Sequence, residues 1–134
     1  MDSQSGEAET RVLVVEDDQS VRRMLRYSLR DSGFAITEVT NGEEALRVLN
    51  NHPPEAVILD LGLPDGQGGA ALDQIRQMEE ETHGLPVWVV ISSLDREEAT
   101  RRYGFLGNRF VPKPFNPWDL IKKLEDLLSS SSEV

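Results

Sequence analysis

The sequence predicts an α/β protein built on a doubly wound, five-stranded parallel sheet. Short apolar runs alternate with segments of helical periodicity five times along the chain. The runs are continuous, as in Val87-Trp88-Val89-Val90-Ile91, which is how strands covered on both faces read. Right-handed crossovers between successive parallel strands then spread the helices over both faces of one sheet.

Residues 1–10 are polar, carry Asp2, Glu7 and Glu9 with no basic residue, and are expected to form a disordered tail. Arg11-Val12-Leu13-Val14-Val15 is the first strand, and Glu16-Asp17-Asp18 follows it. Val21, Met24, Leu25 and Leu29 recur at i, i+3, i+4 and i+8 as the stripe of a first helix, which Gly33 stops. Arg22, Arg23, Arg26 and Arg30 lie mostly off that stripe. Phe34 to Val39 is the second strand. Asn41 caps the second helix, Glu44 holds the capping-box position, and Ala45, Leu46, Val48 and Leu49 supply the buried side.

Pro53-Pro54 ends that helix, and Ala56 to Leu59 is the third strand. Asp60 falls where this strand emerges, and Leu63-Pro64-Asp65-Gly66 has the residues of a turn. Leu72, Ile75 and Met78 mark the third helix, with Glu79-Glu80-Glu81 expected as a solvated turn. Pro86 opens the fourth strand, Val87 to Ile91, which ends on Ser92-Ser93. Asp95 with Glu98 begins a fourth helix that runs to about Tyr103. Phe110-Val111-Pro112 is the fifth strand, followed by Lys113-Pro114-Phe115. Asn116 as cap and Pro117 at the first helical position open the fifth helix, whose stripe is Leu120, Ile121, Leu124, Leu127 and Leu128. One domain is expected over residues 11–128, followed by a polar tail at 129–134.

The 134 residues suffice for a single good core. No apolar run approaches the length of a membrane span and no signal peptide is visible, so a cytoplasmic protein without membrane insertion is expected. The absence of cysteine excludes disulfides, thiolate catalysis and zinc–cysteine sites. A net charge of −10 opposes direct nucleic-acid binding and favours cations or basic partner surfaces.

In a parallel sheet the strand C-termini share one edge, where open α/β sheets place their ligands. Glu16, Asp17, Asp60, Ser92 and Lys113 therefore converge there. Crowded carboxylates repel, and their pKa values rise unless a cation is present. Magnesium suits a site of few carboxylates with waters and a phosphate, and Mn²⁺ is an acceptable substitute. Lys113 adds a point charge and Ser92 a hydroxyl donor, both suited to phosphoryl oxygens. Asp60 is then a carboxylate nucleophile able to form an aspartyl phosphate. Each group also has a plainer reading alone: Asp60 and Ser92 as caps, Lys113 as a surface charge.

Val14-Val15-Glu16-Asp17-Asp18, Asp60-Leu61-Gly62-Leu63-Pro64-Asp65-Gly66, Ser92-Ser93 and Lys113-Pro114-Phe115 together resemble the signature blocks of the response-regulator receiver domain of two-component signalling, of the chemotaxis-regulator-like kind. The resemblance covers about Arg11 to Leu128. It implies a flavodoxin-like (βα)5 fold with strand order 2-1-3-4-5. It implies a phosphorelay phosphoprotein in which Asp60 accepts a phosphoryl group from a phosphohistidine on a histidine kinase or phosphotransfer protein. Asp17 would bind Mg²⁺ directly and Glu16 mainly through water, with Asp60 and the Gly62 backbone carbonyl as further ligands. Ser92 would hydrogen-bond the phosphoryl group and Lys113 would pair with it. Phe110 matches the switch aromatic, whose ring turns inward as Ser92 moves toward the phosphate. The Lys113–Pro114 bond is expected to be cis. Such a domain catalyses its own phosphorylation and dephosphorylation and turns over no external substrate. A downstream effector, or self-association through the fourth and fifth helices, is the implied output.

Some positions depart from the family pattern. Glu16 replaces Asp, Ser92 replaces Thr, and Ser93 stands where Ala is usual. Gly62 and Leu94, at positions tied to dephosphorylation rate, offer no polar side chain. The segment Tyr103 to Arg109 lacks the usual Ala-Gly-Ala spacing, and Phe110 lacks the hydroxyl of a Tyr, so its switch runs on packing alone.

The chief alternative is a phosphorylation-independent pseudo-receiver, which has no need of the full residue set. A haloacid-dehalogenase-type phosphatase needs a second Asp where Gly62 stands, and a flavodoxin needs a first loop that does not repel phosphate. The arginines of the first helix read as a solvated face or as a kinase-docking surface. Trp118 reads equally as a partner contact or as loop packing, and Trp88 as core. Asp18 is expected to cap a helix rather than bind metal, and His52 and His83 receive no role.

Overall fold

A computed structural model describes residues 9–132. Residues 1–8 of the expected N-terminal tail, and 133–134 of the C-terminal one, lie outside the described residues. The elements are β1 (Arg11–Val15), α1 (Gln19–Asp31), β2 (Ala35–Val39), α2 (Gly42–Asn51), β3 (Ala56–Asp60), α3 (Gly68–Thr82), β4 (Val87–Ser92), α4 (Arg96–Tyr103), a 3₁₀ turn (Gly107–Arg109), β5 (Phe110–Pro112) and α5 (Pro117–Ser132). All strand pairs are parallel, in the order β2-β1-β3-β4-β5. This is the expected doubly wound sheet.

The continuous apolar runs become the centre of the sheet because neither face meets water. All of β3 and all of β4 is buried. Side chains alternate between two cores. Leu13, Val15, Val57, Leu59, Trp88 and Val90 face Leu49, Leu72 and Ile75 of α2 and α3. Val12, Val14, Ile58, Val89 and Ile91 face Leu25, Leu29, Leu120, Ile121 and Leu124 of α1 and α5. Each fully buried aliphatic side chain contributes about 2 kcal/mol relative to exposure.

Register then brings the functional edge together. Asp60 pairs with Ile91, and Ser92 with Pro112. The backbone ladder runs one residue past the strands. The Glu16 N–H donates to the Val39 carbonyl at 3.1 Å, Leu61 to Ile91 at 3.0 Å and Lys113 to Ser92 at 2.8 Å. The residue that follows each of these strands is thereby held in place before its side chain makes any contact.

The predicted caps form. The Asp18 carboxylate accepts from the N–H groups of Ser20 and Val21 at 2.8 and 3.1 Å, and Asn41 accepts from Glu44 at 2.9 Å. Asp95 accepts from Glu98 at 2.8 Å, and Asn116 from Trp118 at 2.8 Å. The Lys113–Pro114 bond is cis, as expected, and so is Leu85–Pro86. Trp88 is core, 2% exposed.

The structure corrects three expectations. Glu79-Glu80-Glu81 is helical rather than a turn, since α3 continues to Thr82. Glu79 explains the extension: it accepts the Trp88 indole N–H at 3.0 Å and pairs with Arg109 at 2.8 Å. Helix α5 likewise runs through Ser132, into the segment read as a polar tail. Serine costs little once a helix is established, because adding a residue is far easier than nucleating. Thirdly, Arg22 and Arg26 are not a free face. Arg26 forks onto Glu38 at 2.5 and 2.9 Å, and Arg22 donates to the carbonyls of Glu16 and Asp17 at 3.0 Å each. Trp118 is half-exposed, with its ring available at the start of α5.

Candidate functional site

The strand-end residues open onto one cleft of about 310 Å³. Glu16, Asp17, Asp60, Ser92 and Lys113, the set that the sequence placed at the sheet edge, all line it, as does Gly62, which the resemblance added. His52 and His83 are not among the lining residues. Phe110 lies outside the cleft wall, two residues behind Ser92 in the β4–β5 register, where it pairs with Val90.

Asp60 is 4% exposed and ends β3. Its Oδ1 accepts the Gly62 N–H at 2.9 Å, which fixes the carboxylate plane, and its Oδ2 faces Lys113 Nζ at 3.3 Å. Lys113 Nζ also lies 3.0 Å from Glu16 Oε1, so one ammonium bridges two buried carboxylates. Burial opposes the Lys113 charge, but Glu16 and Asp60 outweigh it and hold the ammonium pKa above its ordinary value. Glu16 is completely buried. Burial pushes its carboxyl up to about 7, against the Asp18 N–H and Lys113, with the Asp60 charge adding to the rise.

This arrangement fits a divalent cation. Carboxylate oxygens of Glu16, Asp17 and Asp60 lie within 4.8 Å of one another. Glu16 Oε2 accepts from the Asp18 N–H at 3.0 Å, whereas buried Oε1 has only the Lys113 ammonium at 3.0 Å, a cation it shares with Asp60, among the described residues. Two buried acids sharing one cation are left with more negative charge than it neutralises, which is costly. An all-oxygen donor set open to solvent through exposed Asp17 suits Mg²⁺ with waters.

The local chain supports this geometry. Arg22 clamps the carbonyls of the β1–α1 loop that carries Glu16 and Asp17. The loop after β3 closes against helix starts: a Cβ on Gly68 would come within 2.9 Å of the Leu61 carbonyl oxygen. Ser92 is 2% exposed, and its Oγ accepts the Leu94 N–H at 3.0 Å. Its hydroxyl proton makes no hydrogen bond among the described residues and is available to an anion. The Phe110 ring is turned inward, 5% exposed, with the Arg96 guanidinium 5.1 Å from its centroid.

Two lining residues were missed by sequence reasoning: Arg102 and Tyr103, from the last turn of α4. The Tyr103 hydroxyl reaches the Leu61 carbonyl at 3.4 Å. No local signal marks them, because their position depends on the direction of a short helix. Arg76 sets that direction, donating to the carbonyls of Tyr103 and Phe105 at 2.7 and 3.0 Å.

Among families of known proteins, the response regulator receiver domain matches residues 12–125. The response regulator MprA of Mycobacterium sp. (strain KMS) is 34% identical over 125 residues, covering 91% of this chain and 52% of that protein. The virulence transcriptional regulatory protein PhoP of Salmonella typhimurium is 33% identical over 122 residues, with 91% and 53% covered. The chain spans about half the length of these curated relatives. Among solved structures, the chemotaxis response regulator CheY4 of Vibrio cholerae superposes with a TM-score of 0.75 at 24% identity, covering 90% of this chain and 99% of that one. NtrX from Brucella abortus gives 0.73 at 29% identity, covering 94% of this chain and 28% of that one. The likeness to CheY4 bears on the fold alone. Among the described residues no helix is long and apolar enough to cross a membrane.

Proposed function

The chain belongs to the response regulator receiver domain family of two-component systems, and on that premise we propose that it is a phosphorylation-activated switch with Asp60 as phosphoacceptor. Receiver domains are signalling domains without turnover of an external substrate. The observation that carries the reading is the Lys113 ammonium set between buried Glu16 and Asp60, at 3.0 and 3.3 Å, with Ser92 on the same cleft. A pseudo-receiver would have no use for two buried acids and a lysine held together at such desolvation cost.

The donor is a phosphohistidine of a histidine kinase or phosphotransfer protein. A carboxylate oxygen of Asp60 forms the new P–O bond as the P–N bond breaks, and the departing imidazole takes up a proton from solvent. Glu16, Asp17 and Asp60, with the Gly62 carbonyl, would hold Mg²⁺, which supplies charge neutralisation for the phosphoryl oxygens when bound. The Gly62 N–H orients Asp60 for attack. Lys113 exchanges a carboxylate partner for the phosphoryl group as negative charge moves outward. The Ser92 hydroxyl donates to the same group, and a shift of Ser92 lets β4 change its packing on Phe110. The receiver unit is residues 11–128, the working location is the cytoplasm, and output runs to a downstream effector or a second copy through α4 and α5.

Incubation with Mg²⁺ and acetyl phosphate, followed promptly by intact-mass measurement, tests the reading. One phosphoryl adduct is expected on the wild type and none on Asp60→Asn. No adduct on the wild type, or an undiminished one on the variant, would overturn it and leave the pseudo-receiver.

A further inference from the structure

Lys113 is committed before any phosphodonor arrives, its ammonium lying between Glu16 and Asp60. The donor's phosphoryl group carries about two negative charges. It must approach a cleft lined by Glu16, Asp17, Asp18 and Asp60. A second side-chain cation lines the same cleft: Arg102. Its Nε is held by Glu98 Oε2 at 2.7 Å, one helical turn back, and Glu98 does not line the cleft. The two terminal nitrogens of the guanidinium make no hydrogen bond to a carboxylate among the described residues.

The last turn of α4 is tied to the phosphoacceptor loop. The Tyr103 hydroxyl reaches the carbonyl of Leu61, the residue after Asp60, at 3.4 Å. A Cβ on Gly69 would stand 3.6 Å from the Tyr103 ring, so the start of α3 packs beneath it. Arg76 holds the helix end from the other side. Arg102 therefore sits on a positioned helix end rather than on a free loop, with the planar fork that matches phosphoryl oxygens.

We propose that Arg102 is a second phosphoryl-binding cation of the cleft, which engages the anionic oxygens of the incoming phosphodonor while Lys113 remains paired with Glu16 and Asp60. The proposal rests on the reading of Asp60 as phosphoacceptor. With acetyl phosphate, the Asp60 oxygen bonds to phosphorus, the bond from phosphorus to the acetyl oxygen breaks, and acetate leaves. Arg102 gains and loses no proton. The side chain is half-exposed, so solvent screens it, and a moderate effect on donor capture is expected.

Initial rates of adduct formation are measured by intact mass against acetyl phosphate concentration, with saturating Mg²⁺, for the wild type, Arg102→Ala, Arg102→Lys and Glu98→Gln. Arg102→Ala is expected to need about five- to tenfold more acetyl phosphate for the half-maximal rate, the scale of one screened charge-assisted contact. Arg102→Lys should recover part of the loss, and added salt should narrow the gap. Glu98→Gln should stay within about twofold of wild type, because it removes the partner but leaves the cation. If Arg102 only braced the helix, Glu98→Gln would lose as much as Arg102→Ala, and that result overturns the proposal. Wild-type phosphorylation with an unchanged Arg102→Ala also overturns it and spares the parent reading. No adduct on the wild type overturns both.

Discussion

Glu16 shows how far one residue's chemistry depends on its surroundings. On the surface it would be an ordinary acid. Here it is completely buried beside Asp60, which drives its carboxyl up to about 7 and leaves Oε1 only the shared Lys113 ammonium among the described residues. Its neighbour Asp17 stays exposed, so the pair presents one deep and one shallow carboxylate to the cleft. Residue-scale constraint of another kind acts at Gly42. A Cβ there would stand 2.3 Å from Gln67 Cβ and 2.8 Å from the Gln67 backbone carbon and oxygen. The Gly42 N–H also donates to Asp65 at 3.2 Å, as do those of Glu43 and Gln67. Burial opposes the Asp65 charge, but these three donors hold its carboxyl below the usual range. Gly42→Ala must push α2 away from the start of α3, where the loop after Asp60 ends. A loss of about 2 kcal/mol or more is expected, since backbone cannot give way as a side-chain tip can. Urea denaturation measures it, and an unchanged midpoint would show that the two helix starts are not in firm contact.

The α1–β2 pair carries the clearest electrostatic tie between elements. Glu38 accepts both arms of Arg26 and lies 3.6 Å from Arg22 Nε. The hydrogen bonds from Arg26 hold its carboxyl below its ordinary value of 4.5, with burial opposing and Arg22 and Arg30 adding. A folded-state pKa below the unfolded one means the stabilisation is complete above pH 4.5 and fades as pH falls through the folded value. Glu38→Gln should therefore cost about 1 kcal/mol near pH 7 and progressively less in acid, as pH falls below 4.5. Urea titrations of both proteins over a series from neutral to acid pH check it, and a gap that does not shrink as pH falls would mean a packing effect. Strands and most helix starts were legible because each depends on local signals: an apolar run, an Asn or Asp before a helix, a Pro just inside it. Arg22 and Arg26 were not, because their partners lie on the β1–α1 loop and on β2. Glu79 was illegible for the same reason, since its partners Trp88 and Arg109 come from β4 and the 3₁₀ turn. The site followed the same division. Glu16, Asp17, Asp60, Ser92 and Lys113 were readable because strand ends in a parallel sheet must meet. Arg102 lines the same cleft through the placement of α4 by Arg76, which no spacing encodes.

At the scale of the molecule, the charge of −10 and the acidic cleft act together. Excess negative charge destabilises the compact state, and the cleft concentrates it where solvent cannot screen it fully. A divalent cation that binds only the folded chain stabilises it by mass action, about 2.7 kcal/mol at a hundredfold excess over Kd. For a chain of this size that corresponds to a rise in Tm of roughly ten degrees. The wild type should thus melt higher in MgCl₂, with MnCl₂ acting similarly, and removal of the ion by a chelator should reverse the gain. Any salt weakens self-repulsion, so NaCl at matched ionic strength sets the baseline. Asp17→Ala separates the two causes, since Asp17 is exposed, outside the core and one of the three clustered acids. It removes one negative charge from the whole molecule but a third of the carboxylate cluster from the cleft. If the magnesium increment over NaCl disappears in Asp17→Ala while the NaCl response remains, the cleft is the binding site. If the increment survives, the ion acts on the general charge of the surface, and the grouping of Glu16, Asp17 and Asp60 is not a metal centre.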